Sequence, residues 1–165
     1  MIAEISEALA RREQSGQEDA PPIYLVVYDL ARFRDLRKAD DDFGFSRSDD
    51  DAPPDPGRQF RAILHDGRAV GIHALIWADR YNSVVRSIDR QGLDDVEMRV
   101  LFRMNAADSS NLIDSAAASQ LGVHRALYDD EGQGLLEKFR PYGPPAPDWL
   151  EWVKSQLQRH CATPR

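Results

Sequence analysis

Apolar residues along the chain fall into two kinds of pattern. Ile23 to Tyr28 and Ile72 to Ala78 are short, nearly continuous apolar runs, which is typical of strands buried on both faces of a parallel sheet. Between them, the apolar positions of residues 59–68 recur at helical spacing. The pattern therefore predicts a strand, a helix and a second strand in succession.

The same criteria predict helices over residues 2–12, 83–90 and 108–121, strands near 98–104 and 125–128, and a last helix over 147–160. Asp108 or Ser109 is expected to cap the helix over 108–121. We expect Trp149 and Trp152 of the last helix to pack against the core rather than to stack on nucleic-acid bases. This alternation predicts an α/β fold, with a mostly parallel sheet in a three-layer arrangement and a C-terminal helix.

The pattern also predicts three segments. Residues 1–22 form an N-terminal helix and linker, residues 23–140 form the core, and residues 141–165 form the C-terminal helix and tail. The core is interrupted at about 38–57 by a stretch rich in Asp, Ser, Pro and Gly, with almost nothing to bury, which predicts a long, mobile acidic loop.

Composition narrows the class of protein. A net charge of −7 and a pI near 5.1 argue against a protein that coats DNA through overall attraction, although a local arginine-lined surface is compatible with them. The apolar runs are far shorter than the ~20 residues of a membrane span. Cys161 is the only cysteine, so no internal disulfide forms. We expect a cytoplasmic protein, placed at the inner membrane only through regions outside this sequence.

One acid stands where ligands bind in α/β sheets. Asp29 directly follows the first apolar strand, and ligands of open α/β sheets bind beyond the carboxyl ends of the strands. A carboxylate there suits a Mg²⁺-bound nucleotide. The alternative is that Asp29 is an ordinary turn or helix-capping residue.

Four ordered segments add to this. IYLVVYDL, GRAVGIHALIWADR, MRVLFRMNAADSSNLID and AAASQLG, between about residues 20 and 130, resemble in order and spacing the second half of the FtsK/SpoIIIE motor domain. The resemblance implies a partial P-loop NTPase (RecA-like) core that uses ATP and Mg²⁺. In that family the first segment is the Walker B strand, and the acid after it holds the Mg²⁺ water shell.

By this resemblance, Asp29 and Asp79 are the catalytic candidates, and Asp29 is the Mg²⁺ ligand through water. Arg80, Arg99 and Ser109, together with Asp29, are the cofactor-binding candidates. Arg80 follows the sensor position, Arg99 begins the next strand near the family's subunit boundary, and Ser109 matches the Ser of its DSR motif.

The sequence departs from the family at functional positions. Leu30 replaces the catalytic Glu and can neither polarise a water nor accept its proton. Asp79 replaces a sensor Gln, and Ser110 replaces the Arg of the DSR motif. No lysine is preceded by glycine, so the phosphate loop (GxxxxGK followed by Ser or Thr) is absent from this sequence. We therefore expect no ATP hydrolysis by this chain alone.

The resemblance implies a piece of an ATP-driven motor that moves double-stranded DNA. Its partners would be the DNA, the missing N-terminal motor half and further copies in a homo-oligomeric ring. One alternative is a catalytically silent binding or ring-completing module. Another is an unrelated small α/β binding domain.

Three further features favour structural explanations. His73 begins an apolar strand and has no ligand spacing to other histidines. The acid runs at 40–42 and 49–51 lack the spacing of a calcium loop, so a solvated loop is expected. No local sequence supports a Ser-His-Asp or Cys-His hydrolase, or the acid-x-Lys element of metal nucleases.

Overall fold

The computed structural model describes residues 1–16, 20–38 and 55–161. Its α-helices are α1 (Ile2–Ser15), α2 (Pro56–Asp66), α3 (Tyr81–Val85), α4 (Arg90–Asp94), α5 (Ala106–Ile113) and α6 (Pro147–Cys161). Its strands are β1 (Ile23–Tyr28), β2 (Ile72–Trp77), β3 (Met98–Leu101), β4 (Ala126–Asp130) and β5 (Leu135–Phe139). The sequence predicted the first four strands and the first and last helices close to these positions. Most of the predicted acidic loop at 38–57 lies outside the described residues.

A parallel pair of strands forms the first sheet. β1 and β2 pair in register from Ile23 opposite Ile72 to Tyr28 opposite Trp77, and α2 lies between them in the chain. Helices α1 and α2 pack together beside this pair. The inward side chains of both strands and of α2 form one core, centred on Leu25, Ile72 and the fully buried Phe60.

The opposite face of this sheet is exposed. Burial alternates along β1, and the outward side chains include Tyr24, Val26, Tyr28, Leu75 and Trp77. Tyr28 stacks on Trp77 with ring centroids 4.9 Å apart. The prediction of strands buried on both faces is therefore wrong for the described chain. A continuous apolar run does not distinguish a strand covered twice from one covered once, because both contain the same residue types.

The second sheet is antiparallel, which corrects the prediction of a mostly parallel sheet. β3 pairs with β4, and β4 pairs with β5, both antiparallel. Strand β5 was not predicted from the sequence. It follows β4 after the short 3₁₀ turn Glu131–Gln133 and Gly134, whose φ of 62° suits glycine. The described residues thus contain two parallel and three antiparallel strands, and a three-layer parallel sheet is not observed among them.

A separate core covers one face of the antiparallel sheet. It contains Leu101 and Leu127 from the strands, and Ala118 and Leu121 from the segment after α5. The predicted helix over 108–121 is divided at Asp114, which has a φ of 51°, and continues as the 3₁₀ helix Ala116–Gln120. The predicted caps were also wrong, because the side chain of Asn105 caps α5 by accepting from the backbone N–H of residue 108.

Helix α6 corrects another expectation. Trp149 and Trp152 are more than half exposed, so neither packs into a core in the described structure. Their spacing matched an amphipathic helix, but the pattern could not identify a surface for that helix to cover. Among the described residues no helix combines the length and the apolar character that a membrane crossing needs.

Candidate functional site at the ends of the parallel strands

Asp29 is the first residue beyond β1. It has a φ of 64°, in the left-handed region that non-glycine residues rarely adopt, although aspartate tolerates it better than most. Such backbone conformations are concentrated at functional sites. Its side chain is 29% exposed, and its carboxylate lies 3.8 Å from Nε of Arg32. The most direct partner of Asp29 is therefore a cation from its own turn.

Asp79 occupies the corresponding region after β2. Its carboxylate accepts hydrogen bonds from Oγ of Ser83 at 2.6 Å and from Nε of Arg80 at 2.7 Å. Both hydrogen bonds lower the pKa of Asp79 below its ordinary value, and the bond from Ser83 has the larger effect. Asp79 is thus charged at neutral pH and paired with Arg80. A paired, charged carboxylate is better suited to accepting hydrogen bonds that position other groups than to acting as a base that takes up a proton.

A cavity of about 240 Å³ opens beside Asp79 and Arg80. Its other lining residues include Arg37, beyond the 3₁₀ turn Arg34–Leu36, and Arg86, just after α3. Neither arginine was predicted from the sequence as a site residue. No local spacing joins positions 37 and 86, and only the fold shows that they share a cavity. The excess of arginine over lysine was the one available signal, and it does not single out residues.

Parallel pairing brings three of the predicted site residues to one edge. β1 and β2 end opposite each other, so Asp29, Asp79 and Arg80 all follow the carboxyl ends of the same sheet. Asp29 is not part of the cavity lining. Leu30, which stands where the family has its catalytic Glu, is 1% exposed and belongs to the core. The side chain after Asp29 is therefore unable to reach a ligand.

The other two predicted residues lie elsewhere. Arg99 is in β3, and its guanidinium donates to the backbone oxygens of Leu112 and Leu93 and to the carboxylate of Glu131. Ser109 is fully buried in α5, where its Oγ donates to the backbone oxygen of Ser115 at 2.5 Å. Both side chains hold the antiparallel region together. A cofactor role for either one stays a prediction.

The described residues do not form a metal site by themselves. Nowhere in 1–16, 20–38 or 55–161 do three or more His, Cys, Asp or Glu side chains gather as metal ligands would. Magnesium sites typically combine one or two carboxylates with phosphate oxygens and waters. Asp29 fits as one such carboxylate, and the remaining ligands would have to come from a nucleotide and from groups outside these residues.

Comparison with known proteins gives a likeness of fold. No protein-family model and no curated protein matches the sequence. Among solved structures, the cytoplasmic domain of the type VII secretion ATPase EccC of Thermomonospora curvata matches with a TM-score of 0.52 and 17% identity. The match covers 87% of this chain and 15% of that chain, so this chain spans a small part of its neighbour's length. The chain is thus similar in fold to part of a secretion ATPase.

Proposed function

We propose that this chain is the C-terminal part of an FtsK/SpoIIIE-type motor domain. In this proposal, the sheet edge bearing Asp29 and Asp79 contributes to a Mg²⁺-ATP site, and a phosphate loop from outside this sequence completes it. The observation that supports it best is the in-register parallel pairing of β1 and β2, which places both acids at the carboxyl edge where α/β sheets bind ligands.

Two further observations support the proposal. The solved neighbour is the cytoplasmic domain of a type VII secretion ATPase, and its match extends over most of this chain. In addition, parallel sheets are almost always covered on both faces, whereas the face bearing Tyr28 and Trp77 is bare here. An additional polypeptide against this face would give the sheet the usual surroundings of a parallel sheet.

ATP hydrolysis by the chain alone is not part of this proposal. A phosphate loop surrounds the β- and γ-phosphates with backbone N–H groups, and a single carboxylate cannot replace those contacts. Leu30 also lacks the chemistry of a general base. The resemblance to the family also implies that the complete motor moves double-stranded DNA and assembles as a ring, and both are part of this proposal.

A second candidate is a catalytically silent member of the same fold. The specific observation in its favour is the turn after β1, where Leu30 is sealed in the core and Asp29 pairs with Arg32. Such a module would bind a motor or complete a ring without chemistry of its own.

Calorimetry with Mg²⁺-ATP tests both candidates. We expect no binding by the chain alone. After the chain is joined to the polypeptide encoded immediately upstream in its genome we expect binding with hydrolysis, in which the added polypeptide supplies both the phosphate loop and the general base that Leu30 cannot provide. Binding without hydrolysis by the joined protein would favour the silent module. If neither protein binds nucleotide, the assignment to a motor domain is wrong.

A further inference from the structure

The cavity beside Asp79 and Arg80 has an unusual charge for this protein. Its lining contains three arginines, Arg37, Arg80 and Arg86, and one acid, Asp79. Asp79 is engaged by Arg80 at 2.7 Å, so these two side chains neutralise each other. Arg37 and Arg86 then leave two positive charges at one cavity, on a chain whose net charge is −7.

These two arginines have donors to spare. Arg37 uses one Nη to donate to the backbone oxygen of Ala31 at 3.2 Å. The exposed side chain of Arg86 has no hydrogen-bond or ion-pair partner in the part of the chain that the structure describes. A guanidinium has five N–H donors in a planar fork, so most of the donors here point to no protein acceptor.

The backbone holds the two arginines on the same wall. The N–H of Lys38 donates to the backbone oxygen of Arg86 at 2.9 Å, which ties the segment containing Arg37 to the end of α3. On its other side this segment contacts the start of α2 so closely that a Cβ on Gly57 would lie 2.9 Å from the Arg37 oxygen. A site positioned by backbone contacts loses little conformational freedom when a ligand binds.

Size and chemistry indicate the ligand. A volume of about 240 Å³ is below the ~300–1,000 Å³ of pockets that enclose drug-sized molecules, so a small group fits better than a whole nucleoside. Arginine pairs with phosphate through two parallel N–H bonds, and Asn82 and Ser83 add polar atoms to the same lining. A phosphate group carries one negative charge in a diester and up to two as a terminal group, so the two unneutralised arginine charges attract either form.

We propose that this cavity binds a phosphate group, held by Arg37 and Arg86, with Arg80 fixed by Asp79 at its edge. The group belongs either to a free phosphate compound or to a nucleic-acid backbone. The proposal does not depend on the motor assignment, because it needs neither Asp29 nor a phosphate loop.

An amide NMR titration of the whole chain with sodium pyrophosphate tests the proposal, at constant ionic strength. We expect saturable shifts at residues 82–87, and binding weakened about tenfold by Arg37→Gln and again by Arg86→Gln, since each removes charge-assisted hydrogen bonds. Arg90→Gln, an exposed arginine of α4 outside the cavity, is the matched control and should bind like the unaltered chain. Arg37→Lys keeps the positive charge but loses the planar set of N–H donors. Its affinity for pyrophosphate should lie between that of the unaltered chain and that of Arg37→Gln.

Two results of this titration would overturn the proposal. Absence of saturable shifts, or equal binding by the Arg37→Gln/Arg86→Gln variant, overturns the proposal. A duplex DNA oligonucleotide distinguishes the sources. The phosphate belongs to a nucleic-acid backbone if the two substitutions weaken binding of the duplex and lower the slope of log affinity against log salt concentration by about one unit per arginine. If pyrophosphate binding needs both arginines and DNA binding does not, the ligand is a free phosphate compound.

Discussion

The two sheets of this molecule are covered in different ways. Each has a helical layer and its own core on one face, around Phe60 in the parallel sheet and around Leu101 in the antiparallel sheet. Each also exposes apolar side chains on the other face, such as Trp77 and Val100. Antiparallel sheets commonly leave one face to solvent, whereas parallel sheets rarely do. The bare face is therefore ordinary in one region and exceptional in the other, where the candidate site also lies.

The largest expected effects come from the two cores. Phe60→Ala should lower the free energy of unfolding by about 3–5 kcal/mol, and Leu101→Ala by about 2–5 kcal/mol, because each leaves a cavity among buried side chains. Urea unfolding measures the loss, and amide exchange shows where it acts. We expect Phe60→Ala to accelerate exchange mainly in β1 and β2, and Leu101→Ala mainly in β3 and β4. Equal acceleration everywhere would show that the two regions unfold as one unit.

Arg99 gives a smaller effect, centred on the antiparallel region. Arg99→Met keeps the aliphatic stem but removes the bonds to two backbone oxygens and the charge 3.8 Å from Asp129, so we expect a loss of about 2–3 kcal/mol in urea unfolding. Arg103→Met, an exposed arginine nearby, is the control and should change stability little.

The same variant has a pH dependence of known sign. Burial raises the pKa of Asp129, and Arg99 opposes that rise. Without Arg99 the pKa should rise further, so the folded state binds its proton more tightly than the unfolded state does. The loss of stability of Arg99→Met relative to the unaltered chain should therefore grow as pH rises from acidic values through the folded-state pKa of Asp129 in the variant. A loss of stability that does not vary with pH would argue against this role of Arg99.

A substitution on the exposed face of the parallel sheet should change the free energy of unfolding only slightly. Tyr28→Thr removes the stack on Trp77, worth about 0.5–1.5 kcal/mol, while keeping a residue that favours strands. Because the Tyr28–Trp77 stack lies on an exposed apolar face, the variant should bind a hydrophobic fluorescent dye less than the unaltered chain does. Val100→Thr is the control on the antiparallel face. An equal reduction for both variants would remove the distinction between the faces.

The smallest effect concerns a link between α2 and the segment after α4. Nδ1 of His65 lies 3.0 Å from both carboxylate oxygens of Asp95, and this hydrogen bond raises the pKa of the exposed imidazole. The contribution to stability should be complete below the unfolded-state pKa of about 6.5 and be lost as pH rises through the raised folded-state pKa. Asp95→Asn should remove most of this pH dependence of the urea midpoint and leave only the part due to Asp66, whose carboxylate lies 3.9 Å from Nε2 of His65. An undiminished dependence would assign it to another group.

The sequence predicted local elements better than their surroundings. The apolar runs of β1 and β2, and the amphipathic spacing of α1, identified these elements because strands and helices impose periods of their own. The free face of the sheet and the exposed Trp149 were not predictable, since burial depends on neighbours that the local pattern does not specify. The hairpin to β5 was missed although Gly134 provides a turn signal.

The candidate site was predicted in part, for a similar reason. Asp29, Asp79 and Arg80 could be found because each stands at the end of an apolar strand, a position that the sequence shows. Arg37 and Arg86 are brought to the cavity by a turn and a short helix that have no apolar period. Arg99 was expected at a ligand or subunit boundary, whereas its described contacts are with backbone oxygens and carboxylates of its own chain.

In the proposed motor domain, Asp29 serves a nucleotide site that is completed from outside this sequence. The most direct test is the affinity for ATP, with and without Mg²⁺, of the protein joined to its upstream-encoded polypeptide, for Asp29→Asn and for Asp35→Asn, an exposed acid of the following turn. We predict that Asp29→Asn abolishes the Mg²⁺-dependent part of the affinity and that Asp35→Asn leaves it unchanged. Equal Mg²⁺-dependent binding by both variants would contradict the account.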